Sequence, residues 1–294
     1  MLYFLNVRGK QPYAKHDGYN ATTRVDILVY SIWATSCSNT VAIAILFSKK
    51  LKRKAAHYFI INLATSDLIV SIVAIPIYIY VLKGEKRVQE VKFVFRFVDV
   101  LAGLGSLFSI TAIAIERLFA VMRPMKYRVL RKKYYMLGIM LTWIGASIVG
   151  LINLLSLLEI LSQFGPSMHL VFTCTTLVIP VVMTSLCYVG VCLKMRNHSI
   201  VSTQCVVQQH EVIEKVFTRP LLLVTIIFFL TWLSFLILNA IPSKYVRNFS
   251  YNVIFFLKFL HYANYFANPV VYTLRMPDFR QEARNAICRK TGTV

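Results

Sequence analysis

A handful of charged and amide side chains sit where almost every neighbour is apolar. Asp67 stands in Leu63-Ala64-Thr65-Ser66-Asp67-Leu68, and Asp99 and the pair Glu116-Arg117 lie near opposite ends of one apolar run. Asn39, Ser106, Asn264 and Asn268 interrupt other stretches of the same kind. One carboxylate with several neutral oxygens suits a hard cation and its water. The same residues suit a hydrogen-bond network that only joins helices, and both readings stay open. A carboxylate beside a guanidinium suits a buried ion pair that a conformational change can break. There is no catalytic dyad, no Cys/His cluster at metal spacing and no phosphate-binding loop, so an enzyme is not indicated.

The spacing adds a direction to this chemistry. Positions 99, 103, 106, 110, 113 and 117 alternate by four and three, which places them on one stripe of a helix. Asp99 and Arg117 are 18 residues apart, about 27 Å along that helix and close to the hydrocarbon thickness of a bilayer. One helix face thus joins a carboxylate near one membrane surface, a hydroxyl at mid-depth and a guanidinium near the other surface. That layout fits a device that senses on one side and reports on the other. The bland alternative, in which Arg117 snorkels to the interface, explains Arg117 alone.

Elements of a particular kind must hold these residues. The 294 residues are 57% apolar and 15% charged, yet the net charge is +21. Mean hydropathy is +0.61. Seven runs are long enough to span a bilayer as helices, at about 27–47, 58–82, 93–121, 135–157, 169–193, 217–241 and 252–274. The expected fold is an all-α membrane protein, a seven-transmembrane helix bundle. The organisation that follows is an extracellular tail 1–26, a membrane domain 27–274, and a cytoplasmic segment 275–294. Lys and Arg number 20 in the loops 49–57, 123–134 and 194–220 with the C-terminal tail, against 10 on the opposite side. Cytoplasmic loops are the basic ones, so the N-terminus is expected outside and the C-terminus inside. Basic residues divided among separate loops do not make a nucleic-acid footprint, and anionic membrane lipids are their expected partners. Sequons at Asn20 and Asn248 fall on the outer side as candidate glycosylation sites. A seven-helix transporter or channel is the rival class, but it calls for a charged or broken path and commonly for repeats, and none is visible.

At this point the chain resembles the rhodopsin-like (class A) G-protein-coupled receptors, over about residues 26–288. Asn39 resembles the asparagine of the first helix, and Leu63-Ala64-Thr65-Ser66-Asp67 resembles the signature of the second. Glu116-Arg117-Leu118 is similar to D/E-R-Y, and Ala120-Val121-Met122-Arg123-Pro124-Met125-Lys126-Tyr127 to the inner loop after it. Trp143, Pro180 and Tyr188 stand where the fourth and fifth helices carry their tryptophan, proline and tyrosine. Phe228-Phe229-Leu230-Thr231-Trp232 is similar to the F-x-x-C-W-x-P region, and Asn268-Pro269-Val270-Val271-Tyr272 matches N-P-x-x-Y. The resemblance implies a plasma-membrane receptor that takes an extracellular ligand and activates heterotrimeric G proteins. It implies an allosteric sodium ion as the only cofactor, held by Asn39, Asp67, Ser106, Asn264 and Asn268. It implies a resting lock of Arg117 with Glu116 and Glu214, and a relay through Pro180, Leu107, Phe228 and Trp232. Tyr188, Pro269 and Tyr272 would complete the switch. After the seventh run, Phe279, Ala283 and Ile287 recur every four residues. They mark a short amphipathic helix, with Cys288 as a palmitoylation candidate.

The ligand is the least determined part. Asp99 resembles the ammonium-binding aspartate of aminergic receptors, with Tyr262 as its hydroxyl partner. Phe235, Thr173 and Thr176 are candidate pocket residues. A small cationic amine is slightly favoured, and a peptide or lipid is the alternative. Lys258 and Arg96 argue against the amine, since either can neutralise Asp99 and leave the site positive. Lys92 stands where the family's usual cysteine bridges to the second outer loop, and Ser234 replaces the proline of the sixth helix.

Overall fold

The chain is described by a computed structural model that covers residues 18–47, 56–83, 88–158, 165–199, 226, 229–233, 251–275, 280–281 and 284. The helices are α1 (Gly18–Leu46), α2 (Ala56–Ile69), α3 (Ile75–Leu82), α4 (Val88–Met122), α5 (Pro124–Arg128), α6 (Lys132–Leu157), α7 (Gly165–Ser199) and α8 (Tyr251–Arg275). Among the described residues, five stretches are long and apolar enough to cross a membrane: Thr22–Leu46, His57–Val81, Phe93–Met122, Lys132–Ser156 and Cys174–Lys194. They coincide with the first five apolar runs, and α8 coincides with the seventh. Of the sixth run, 226 and 229–233 are described and helical. The expected amphipathic helix after α8 lies largely outside the described residues; Arg280, Gln281 and Arg284 are helical and exposed.

Two boundaries differ from the hydropathy reading. α1 begins at Gly18, inside the stretch expected to be tail, and Arg24 there donates to Asn252 Oδ1 of α8 at 2.6 Å. A polar N-terminal stretch that finds a partner on another helix need not be apolar to be helical. The second run, in turn, is interrupted. Val70–Ala74 forms a wide π-type turn, closed by the Ile75 N–H donating to the Val70 carbonyl, before Pro76 opens α3. Proline is compatible with the first turn of a helix because its missing N–H has no helical partner there.

α4 is the central element and packs against α2, α3, α5, α6 and α7, while α8 lies against α1 and α2. Lipid tails are as apolar as leucine, so close packing rather than water exclusion joins such helices. Small residues allow it. A Cβ at Gly138 of α6 would lie 2.9 Å from Phe59 Cζ, and one at Gly145 would lie 3.2 Å from Phe108 Cε2. The opposite face of α6, including Leu137, Met140, Leu141 and Ile144, is exposed, as a lipid-facing stripe should be.

The apolar core divides in two. One cluster at the Asp99 end of α4 contains Leu28, Phe95, Ala102, Phe255, Tyr262 and Tyr265. A larger one towards the Arg117 end contains Leu63, Leu107, Ile110, Tyr188, Trp232 and Val271. The polar residues around Asp67 lie where the two meet.

Candidate functional site

The stripe read from the sequence is buried along its length: Asp99, Ser106, Ile110, Ile113 and Arg117 are all inaccessible. At Gly103 of that stripe an added Cβ would lie 3.4 Å from the Trp232 ring and from the Tyr265 hydroxyl. Trp232 therefore packs closely on α4, at a distance where a Cβ would be in ordinary contact. Trp232 also meets His261 edge-on, with centroids 4.7 Å apart, and His261 Nε2 shares a 3.1 Å hydrogen bond with the Tyr265 hydroxyl. Leu107 is 1% exposed and packs in the same cluster as Trp232 and Tyr188.

The middle layer gathers the expected cation ligands. Ser106 donates to Asp67 Oδ1 at 2.9 Å, and Asn268 Nδ2 donates to Asp67 Oδ2 at 2.8 Å. Asn39 does not reach the carboxylate. Its amide donates to the carbonyls of Thr35 (2.9 Å) and Tyr265 (3.0 Å), which ties α1 to α8 where α8 carries Pro269. Asn39 Oδ1, Asn268 Oδ1 and both polar atoms of Asn264 are buried without a hydrogen-bond partner among the described residues. Buried amides are nearly always satisfied, so these orphaned oxygens beside a buried carboxylate fit a small cation with water.

At the Arg117 end, Arg117 Nε donates to Glu116 Oε2 at 2.6 Å and Nη2 donates to Oε1 at 2.7 Å. The fork is sealed by a residue that the sequence reading placed only in a loop motif. The Tyr127 hydroxyl of α5 donates to Glu116 Oε1 and receives Arg117 Nη2 at 3.2 Å. Burial first, and then the Glu116 charge, pushes the Tyr127 phenol up, so it stays a protonated donor. A second network was also not expected. Trp143 Nε1 donates to Asn62 Oδ1 at 2.8 Å, and Asn62 Nδ2 donates to Ser109 at 2.7 Å and to Thr142 at 3.3 Å. It joins α2, α4 and α6. No periodicity signals it, because its members pair across three helices.

At the Asp99 end, Lys258 Nζ donates to both Asp99 oxygens at 3.1 and 3.0 Å, with both side chains nearly inaccessible. Tyr262 also points its hydroxyl at Asp99, at 3.4 Å, a weak contact by comparison. Lys258 lies 4.5 Å from the centroid of Tyr262 and 5.8 Å from that of Phe95, and Tyr78 stacks on Phe95 at 5.6 Å. Arg96, one turn away on α4, is buried too. Thr176 spends its hydroxyl on the Phe172 carbonyl of its own helix at 2.8 Å. Pro180 is buried within α7. The side chains of Thr173, Tyr272 and Asn20, and all of Glu214, Phe228, Phe235, Asn248 and Cys288, lie outside the described residues.

The chain belongs to the seven-transmembrane receptors of the rhodopsin family. The family described as 7 transmembrane receptor (rhodopsin family) matches residues 38–272. Its members are multi-pass membrane receptors and not enzymes. The chain is similar to neuropeptide receptor 22 of Caenorhabditis elegans, at 26% identity over 87% of this chain and 67% of that one. It is similar to somatostatin receptor type 4 of Rattus norvegicus, at 27% identity over 65% of this chain and 53% of that one. A tyramine receptor of Caenorhabditis elegans is 30% identical over 39% of this chain, and the match spans 26% of that receptor's length.

Proposed function

We propose that this protein is a plasma-membrane receptor that binds an extracellular ligand at the Asp99 end of the bundle and activates a heterotrimeric G protein at the Arg117 end. The proposed orientation puts the N-terminus outside and the C-terminus inside, as the 20-to-10 bias of basic residues supports. The observation that carries the reading is the clasp of Glu116, Arg117 and Tyr127, a buried charge held shut by groups that can separate. An agonist shifts such an equilibrium only through its different affinity for the two states. Repacking of Trp232 against Gly103, His261 and Leu107 is the proposed relay. Asp67, Ser106, Asn268, Asn264 and Asn39 are the proposed holders of a sodium ion, which would supply positive charge to the carboxylate and favour the resting packing.

The ligand need not be an amine. Relatives named for tyramine and for dopamine support one, and relatives named for neuropeptides and somatostatin support a peptide. The Lys258–Asp99 ion pair weighs against the amine, which would have to displace Lys258 from its carboxylate.

The test is agonist-free G-protein activation in cells at matched surface expression. Glu116→Gln should raise it several-fold, and adding Arg117→Ala should abolish the rise. If neither form differs from untransfected cells, the receptor reading is wrong.

A further inference from the structure

Three buried charges meet at the Asp99 end, and they do not cancel. Asp99 closes on Lys258 at 3.0 Å. Arg96 is 5% exposed, yet its Nη1 makes no hydrogen bond among the described residues. It is three residues from Asp99 on the same face of α4, and the two charges attract each other, but the carboxylate is taken by Lys258. Asp67, Asp99 and Glu116 are the buried carboxylates among the described residues, and the other two belong to the layers below. Counted over the described residues, the cluster therefore holds one positive charge in excess. The rings divide unequally as well. Lys258 faces Tyr262 and Phe95, whose negative faces share its charge, while the guanidinium of Arg96 has no such cover among the described residues.

We propose that this cluster seats a ligand carboxylate on Arg96, so that the receptor takes a small organic acid with an apolar, ring-bearing body. The proposal rests on the receptor reading above and names the ligand class of that site. A guanidinium fork matches a carboxylate with two parallel hydrogen bonds, and in a low dielectric such charge-assisted pairs are the strong ones. An arriving amine would add a third cation to a site already in positive excess. An arriving carboxylate makes the site neutral, and Phe95, Tyr78 and Tyr262 give its body an aromatic wall. Once seated, it competes with Asp99 for Lys258. That loosens the tie between α4 and α8, the two helices that carry Arg117 and Asn268 at their other ends.

The test uses the purified full chain in lipid nanodiscs and three probes of one shape: phenylacetate, phenylacetamide and phenethylamine, each at millimolar concentration. Binding to the folded state alone raises the melting temperature. Phenylacetate should raise it by a few degrees and the other two should not. Arg96→Gln should lose the shift, and Arg96→Lys should keep part of it. Without any probe, Arg96→Gln should melt no lower than the wild type, because it removes a buried charge whose Nη1 has no hydrogen bond among the described residues; a lower value shows a structural role and overturns the proposal. A shift with phenethylamine, an equal phenylacetate shift in Arg96→Gln, or no shift with any probe also overturns it. So does an equal shift with sodium phosphate or chloride, which would mark a site for bare anions. Signalling by Glu116→Gln in cells is read separately, so failure here leaves the receptor reading standing, and the reverse.

Discussion

Tyr127 turns a pair of adjacent residues into a clasp between two helices. Its hydroxyl is the one donor that α5 brings to Glu116. A hydrogen bond to a charged group contributes about 1.5–3 kcal/mol, and about 1.4 kcal/mol is a factor of ten in an equilibrium. Tyr127→Phe is therefore expected to raise agonist-free G-protein activation by about tenfold or more, measured by G-protein dissociation at equal surface expression; an unchanged signal would show that the hydroxyl holds nothing shut. The adjacency of Glu116 and Arg117 was legible in the sequence. Tyr127 was not, because its approach depends on the extended turn at Arg123, with φ −137° and ψ 64°, and not on helical spacing. The choice of Lys258 over Arg96 as partner of Asp99 was likewise beyond sequence reasoning, which saw two cations at similar distance and could not rank them. At the middle layer, the orphaned amide oxygens make a second prediction. Sodium should raise the melting temperature of the wild type above that in potassium at equal ionic strength, and Asp67→Asn should erase the difference. A difference that survives Asp67→Asn places the ion elsewhere.

Helix existence was easy to read and helix shape was not. Long apolar runs with few charges leave no other way to satisfy the backbone in lipid, so the spans of α1, α2 with α3, α4, α6, α7 and α8 follow from hydropathy. The start of α1 does not, because its polar N-terminal part is held by Arg24 and Asn252, a pairing invisible along the chain. Contacts between elements rest on small residues, and they differ in what they tolerate. At Gly138 a new side chain meets the Phe59 ring at 2.9 and 3.0 Å, and that ring is itself fixed edge-on to Tyr135. At Gly190 the nearest atom is the end of the Leu118 side chain, which can rotate away. Gly138→Val is expected to cost about 1–3 kcal/mol of stability, and Gly190→Ala much less. Thermal unfolding in detergent, with the two variants compared at equal protein concentration, would settle the ranking; equal losses would mean that the α2–α6 contact is not tight.

Among the described residues, α8 is fastened at four depths: to α1 through Asn252 and Arg24, to α4 through Lys258 and Asp99, to α1 again through Tyr265 and Asn39, and to α2 through Asn268 and Asp67. Motion of its Arg275 end must be felt at one of these ties, which is how a ligand among buried charges can act on a distant arginine clasp. The orientation has a direct check. An epitope on the N-terminus should stain intact cells and one on the C-terminus only permeabilised cells, and the opposite pattern would invert every assignment of outside and inside. One irregularity reaches further than its size. The turn at Val70–Ala74 accommodates one residue more than a regular helix would. From Val70 outward, sequence distance and angular position stop agreeing, and it is beyond this surplus that Tyr78 faces Phe95 and Tyr262. Each residue of a regular helix turns the chain by about 100°. Any residue-by-residue comparison of this segment with a receptor lacking the surplus must therefore skip one position, or it will assign pocket side chains to the lipid face and lipid-facing ones to the pocket.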